Sequence, residues 1–408
     1  MSDEVQNVKK LAIHLLSNAV WAQTGYGGQA KLLLPRLQQL GHEVSMTGYY
    51  GLQGHTLMIN DIMVFPCGYH PYGMDVAAGN AKVSKADILM TNVDLWVCEP
   101  QNFEGTTWVP WFPIDSETAN PMIKAKLPYA FERYCMSKHG TKLVKELGHD
   151  CTFMPCAVDT NVFKPVGNRE EALAEVNLHI RGDIPSDKYM VSMVAMNKGA
   201  PSRKAFYAQM KAFSIFHEKH PDSVLYMHTI KSEHGEQGGI NLVEIANLFG
   251  LKLETDLFFP DPLMVINGYP DVFLNAVYNA SDVFLSVTMG EGFGIPILEA
   301  QAAGCPVIVG DWTSMSEICF SGWKVKKEEA TEIWTMLSAI QYEPHFSAIV
   351  DRLEKAFEMR GNQDYRERAR KGAMVYDIDA VVKKYWVPAL SKLSKKLAAM
   401  PAFTEVPK

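Results

Sequence analysis

The stretch 286–309, SVTMGEGFGIPILEAQAAGCPVIV, narrows the fold more than any other part of the chain. An apolar strand at 283–287 runs into a loop carrying Gly290, Gly292 and Gly294, and Pro296 then opens a helix that Gly304 ends. Proline suits the first turn of a helix, where its fixed φ is already helical and its missing N–H had no partner to lose. A second apolar strand follows at 307–309. Two buried strands joined through a helix lie parallel, and the crossover between them is right-handed. The start of the chain has the same rhythm. An apolar run at 11–16 (LAIHLL) leads to a small-residue loop at 24–28 (TGYGG). A helix with Leu32, Leu33, Leu37 and Leu40 on one side follows, then Gly41 as its stop and a strand to Met46.

Further strands are expected at 62–65, 88–91, 107–112 and 134–136, with a short helix at 141–147. Segment 158–167 (VDTNVFKPVG) loses periodicity and carries Pro165 and Gly167, which marks a domain boundary. Beyond a polar stretch to Lys188, strands at 190–195, 223–229 and 256–259 alternate with helices at 203–219, 241–249 and 270–280. From 328 to 397 the pattern reads as helical, broken at Gly361 and Pro388. These elements predict an α/β chain of two Rossmann-like, doubly wound parallel-sheet domains, 1–165 and 166–375, facing a central cleft. Residues 376–408 form a C-terminal helix and tail.

Composition excludes several classes. A length of 408 residues and a hydrophobic content of 47% supply two cores. The net charge of -7, from 39 basic and 46 acidic residues, argues against a nucleic-acid partner. Seven cysteines without a CxxC pair, and without histidine at zinc spacing, read as buried thiols in a reducing compartment. The polar start MSDEVQNVKK is unlike a signal peptide, and no apolar run reaches the ~18 residues of a membrane-spanning helix. A cytoplasmic enzyme without an integral membrane segment is expected.

Chemistry concentrates in the glycine loop. Its glycines let the amides of Gly292, Phe293, Gly294 and Ile295 approach a ligand, and the helix behind them adds a positive dipole end. That combination suits a diphosphate. Glu291 and Glu299 flank the anion site, where a carboxylate is better placed to accept from hydroxyls than to touch phosphate: Glu291 from a sugar, Glu299 from a ribose diol.

The string 291–300 (EGFGIPILEA) with 304–307 (GCPV) resembles the signature of family 4 retaining glycosyltransferases of the GT-B fold. Segment 274–283 (LNAVYNASDV) is similar to the helix and strand before that signature, and Thr313, Ser314 and Glu317 to a segment lining the nucleotide pocket. The resemblance implies a substrate nucleotide-diphosphate sugar (UDP- or GDP-sugar), no required cofactor or metal, and transfer to a hydroxyl of a glycan, lipid-linked or protein-linked acceptor. It implies front-face displacement with retention. Arg203 and Lys204 resemble the basic pair that clamps the diphosphate. Where such proteins often carry Gly-Arg after the preceding strand, this chain has Ala195-Met196-Asn197-Lys198, so Asn197 or Lys198 is expected to rebuild part of the donor contact. The C-terminal helix is expected to cross back to the first domain.

The first domain is expected to supply the acceptor side. Amides of Gly27 and Gly28 are placed to meet the donor across the cleft, and Asp115 to face the sugar as an acceptor-binding or proton-accepting group, with Asp94 as alternative. Asp115 also suits a turn or helix cap. His14 reads as core, His139 as part of a structural turn, and His228 as bordering the cleft at a strand end. Trp21, Tyr26, Tyr49, Tyr50 and Tyr69 suit sugar stacking or a core equally. Alternatives on the same fold are a non-catalytic nucleotide-sugar-binding protein, a nucleotide-sugar epimerase and a sugar phosphorylase, the last lacking a convincing Schiff-base lysine. A dinucleotide oxidoreductase does not fit, because neither glycine loop reads G-x-G-x-x-G with an acidic residue ~20 positions on.

Overall fold

The computed structural model describes residues 10–232 and 238–399. Eight strands form the first sheet: β1 (Ala12–Ser17), β2 (Glu43–Gly48), β3 (Leu57–Ile59), β4 (Ile62–Pro66), β5 (Ile88–Asn92), β6 (Trp108–Phe112), β7 (Tyr134–Cys135) and β8 (Thr152–Phe153). Six form the second: β9 (Tyr189–Val194), β10 (Ser223–His228), β11 (Leu257–Phe258), β12 (Val283–Ser286), β13 (Val307–Gly310) and β14 (Gly322–Val325). The spatial orders are β3-β4-β2-β1-β5-β6-β7-β8 and β11-β10-β9-β12-β13-β14, parallel throughout except for the edge pair β3–β4. Each order reverses once, between β1 and β5 in the first sheet and between β9 and β12 in the second. Ligands of open parallel sheets collect at such reversals, outside the carboxyl ends of the strands. Runs such as Val283-Phe284-Leu285 are buried because helices cover both faces of a parallel sheet.

One expectation is overturned between residues 330 and 344, where a helix was read. The chain forms an antiparallel hairpin there, β15 (Ala330–Trp334) paired with β16 (Ile340–Pro344). Thr331, Ile333, Trp334 and Tyr342 favour strands, and the hairpin is docked against the first domain, context that charge periodicity does not carry. The polar stretch after residue 167 also folds, as a helix Arg169–Asn177 capped by Asn168, whose side chain accepts from Glu171 N.

The C-terminal segment does cross back. Its helical turn widens at Val382–Trp386 into a π turn just ahead of Pro388, which places the proline in the first turn of the helix Val387–Ala398 and removes the ring clash a regular helix would impose. Trp386, 1% exposed, meets Trp111 edge-on at 5.0 Å and Tyr134 at 6.0 Å. Lys396 pairs with Glu132, and Arg36 with Asp379 at 2.5 Å. The buried core is continuous from the first sheet through Met154, Phe163 and Trp386 into the second. Replacing Trp386 with Ala deletes the largest ring of this joint, and a loss of about 3–5 kcal/mol is expected by chemical denaturation. A loss under about 1 kcal/mol would show that the joint does not hold the domains.

Candidate active site

The second sheet's reversal point carries the donor-side residues. After β9 the chain presents Arg203 and Lys204 in the loop before the helix Phe206–Lys219, rather than on the helix itself. Ala205 between them and the helix has φ 50, a left-handed conformation uncommon outside glycine, asparagine and aspartate. Gln209, fully buried, donates to Lys204 O at 2.7 Å and accepts from Val287 N at 2.9 Å, so one amide ties this loop to the end of β12.

Lys204 Nζ lies 2.6 Å from Glu291 Oε1, and Arg203 Nη1 lies 3.4 Å from Glu291 Oε2. Arg203 also donates to Gly290 O, and its Nε stands 3.3 Å from Asp115 Oδ2 of the first domain. Burial would push the Glu291 carboxyl up, but the two cations outweigh it and hold it at about 2. Burial works against the Arg203 charge as well, and Glu291, Asp115 and Asp94 reverse that effect and raise its pKa. Glu299 sits differently. Burial pushes its carboxyl up to about 7, against a single hydrogen bond from Tyr278 Oη at 3.0 Å.

Thr313 and Ser314 hold the glycine loop instead of facing outward. Glu291 N donates to Thr313 Oγ1 at 3.1 Å, and Ser314 Oγ reaches Glu291 O at 2.7 Å and Phe293 O at 2.9 Å. Thr313 does this at φ 52, an outlier for a β-branched residue. Gly294, at φ 95, caps the helix Ile295–Ala302. The amides of Gly292, Phe293 and Gly294 donate to no described residue, which leaves the loop able to bind an anion. Phe293 itself is buried, edge-on to Tyr376 at 5.7 Å.

Several groups expected at the donor have partners of their own in this structure. Gly27 N donates to Thr24 Oγ1 and Gly28 N to Thr24 O, so these amides belong to their own helix start and are not free for the donor. Asn197 commits its amide to backbone, donating to Ile230 O and Ile240 O and accepting from Ile240 N, so it is a loop brace. His228 bonds Tyr226 Oη and packs on Tyr269 and Phe273, and burial lowers its pKa to about 4. His14 is core as expected, bonded to Ser45 and Thr47.

Sequence reasoning missed how closely the domains touch. A Cβ on Gly290 would lie 2.0 Å from Asp115 O, and one on Gly292 2.1 Å from Pro113 Cβ, so these glycines serve close approach between domains. Glu317 reaches across to accept from Lys138 N and His139 N, capping the helix Lys138–Glu146. Asp94 lies within electrostatic reach of both Asp115 and Arg203. Burial and Asp115 push its carboxyl up to about 6, opposed by a hydrogen bond from the Tyr26 phenol.

The family model described as "Glycosyl transferases group 1" matches residues 248–340, which hold Glu291, Glu299, Thr313 and Ser314. The matched segment holds the β12 strand, its glycine loop and the helix behind it. Over 52 residues it is 44% identical to O-antigen chain mannosyltransferase B of Escherichia coli, a match spanning 12% of this chain and 14% of that protein. Similar solved structures include a glycosyltransferase from Rickettsia africae, with TM-score 0.64, 16% identity and coverage of 96% of this chain and 100% of that one. Sucrose-phosphate synthase from Thermosynechococcus elongatus gives 0.68 and 15% over 95% and 98%. HepE of Anabaena, in complex with UDP and glucose, gives 0.63 and 12% over 96% and 100%. At these identities they establish the GT-B fold. Gly290→Ala should push the Asp115 loop away, lowering stability by about 1–3 kcal/mol and enlarging the radius of gyration in small-angle scattering. An unchanged profile and stability would show that the contact yields freely.

Proposed function

We propose that this protein is a retaining glycosyltransferase of group 1 that moves a sugar from a nucleotide-diphosphate sugar to an acceptor hydroxyl. The observation that carries the reading is the ion cluster at the β9 and β12 ends, where two cations meet beside unengaged loop amides. A donor diphosphate fits there as a second anion on Arg203 and Lys204, with the amides of Gly292, Phe293 and Gly294 on its distal phosphate. Glu291, released from part of its pairing, turns to hydroxyls of the transferred sugar, and Glu299 takes the ribose diol. HepE, whose structure holds UDP and glucose, supports a uridine nucleotide as first probe.

In front-face displacement the acceptor oxygen bonds to the anomeric carbon on the face the diphosphate leaves. The C–O bond to phosphate breaks with its electron pair going to the phosphate oxygen, which also receives the acceptor proton. Stabilising the leaving diphosphate by Arg203, Lys204 and the amides is the main catalytic contribution, and no metal ion is needed for that charge. The division into 1–165, 166–375 and a crossing tail belongs to the same reading. No helix among the described residues is long and apolar enough to cross a membrane.

Isothermal titration with UDP and GDP tests the donor site. Glu299→Ala should weaken the bound nucleotide about 10–100-fold, the loss of hydrogen bonds to a charged group. Unchanged affinity sinks the assignment. The pKa of about 7 adds a second readout. Ribose hydroxyls donating to Glu299 favour its ionised form, so binding at pH 7 should release protons. The release appears as a dependence of the binding enthalpy on the buffer's ionisation enthalpy, and Glu299→Gln should abolish it. The anomeric configuration of the product, read by NMR, decides retention.

A further inference from the structure

At the first sheet's reversal point two buried amide oxygens stand without a donor. Asn18 follows β1 and Asn92 ends β5, on adjacent parallel strands where Leu16 pairs with Thr91. Both amide nitrogens are engaged. Asn18 Nδ2 donates to Thr24 Oγ1 at 2.6 Å, and Asn92 Nδ2 to Ser17 Oγ and Tyr26 O, each at 3.1 Å. The Tyr26 carbonyl, which can only accept, fixes the way the Asn92 amide faces, and Asn18 gives its nitrogen to the Thr24 hydroxyl that also accepts from Gly27 N. Asn18 Oδ1 and Asn92 Oδ1 are left with no partner among the described residues, in residues 6% and 0% exposed. A buried acceptor left without a donor is destabilising, so two on adjacent strands at a ligand edge call for hydroxyl or amide donors from outside.

The surrounding rim has one sign of charge. The described loops after β1, β2, β4, β5 and β6 carry Asp94, Glu99, Glu104, Asp115 and Glu117 and no Lys or Arg. The cations that reach this edge from other elements are engaged: Arg203 and Lys204 by Glu291 and Asp115, Lys327 by Glu117, and Lys126 by Trp96 O. A phosphorylated acceptor would meet the buried Asp94 carboxyl, beside cations that already hold other partners. The same rim exposes rings: Trp21, 37% exposed and anchored by its Nε1 donating to Gly51 O at 2.8 Å, and Tyr50 at 56%. Such rings offer an apolar face to sugar C–H groups at little cost in ordering.

We infer that the acceptor is an unphosphorylated sugar or glycan end, whose hydroxyls donate to Asn18 Oδ1, Asn92 Oδ1 and the Asp94 carboxylate while a ring stacks on Trp21. This rests on the transferase reading above and names its acceptor class. Asn18, Asn92 and Trp21 are acceptor-binding residues in it, and the donor half is untouched by their loss.

Saturation-transfer difference NMR on the full chain tests it, using methyl α-glucoside, methyl α-mannoside, methyl β-galactoside, glucose 6-phosphate and mannose 6-phosphate, each with and without UDP or GDP. At least one neutral glycoside should bind, about tenfold or more tighter than either sugar phosphate. Asn18→Ala should weaken that glycoside about tenfold with nucleotide affinity within about twofold of wild type, the loss of one hydrogen bond. Trp21→Ala, at a position outside the buried core, should weaken it likewise. Preference for a sugar phosphate, no glycoside bound by protein that binds nucleotide, or equal losses of glycoside and nucleotide in both variants would overturn the inference. Glycoside binding without any nucleotide binding would support this site and remove the transferase reading instead.

Discussion

Glu291 is a nearly buried carboxylate, and a carboxylate in that position persists as an anion only if cations reach it. Lys204 and Arg203 reach it from the loop after β9, because Gln209 ties that loop to the end of β12. Arg203 in turn faces Asp115 from the far side of the cleft. Removing one partner of such a group leaves an uncompensated charge, a loss of about 3–5 kcal/mol, so the cluster stands or falls as a unit. It also sets the terms on which an anionic substrate enters. A diphosphate brings negative charge to cations already satisfied, and gains only by taking over from Asp115 and part of Glu291.

The glycines show how one residue type answers two needs. In sequence Gly290, Gly292 and Gly294 form a single loop ahead of a helix, and phosphate approach explains all three. In the structure Gly294 alone requires a left-handed φ, while Gly290 and Gly292 lie where Asp115 O and Pro113 leave no room for a Cβ. Gly27 is a third case, packed on its own turn against Ala22 O. A glycine therefore reports a close neighbour, and only the fold says whether that neighbour is ligand, partner domain or the same loop.

What was legible in the sequence was local. The β12 strand, glycine loop, helix and β13 follow from spacings within 283–309, and Arg203 with Lys204 from position after a strand. What was not legible depends on groups distant in sequence. The hairpin β15–β16 owes its docking to bonds from Ile340 N to Thr118 Oγ1 and from Gln341 Nε2 to Asp115 O. The burial of Asp94 beside Asp115 and the Tyr26 phenol is likewise something no spacing announces. Asn18 and Asn92 look like ordinary loop polars until their nitrogens are seen to be engaged and their oxygens are not.

The contacts between domains differ in kind, and that difference assigns their roles in opening and closing. At the C-terminal crossing the contact is apolar, with Trp386 wedged between Trp111 and Tyr134 in a continuous core. Such packing is lost only at several kcal/mol. Around 113–118 the contacts are single polar bonds and partly exposed pairs: Lys327 to Glu117 at 2.5 Å, Arg203 to Asp115, Gln341 to Asp115 O. Pairs of this exposure contribute about 0–1 kcal/mol each. A substrate therefore meets a joint that resists separation at one end and a latch of weak bonds at the other. Strain applied across the two domains would therefore part them first at Asp115, between the Arg203–Glu291 cluster and the carboxyl edge of the first sheet.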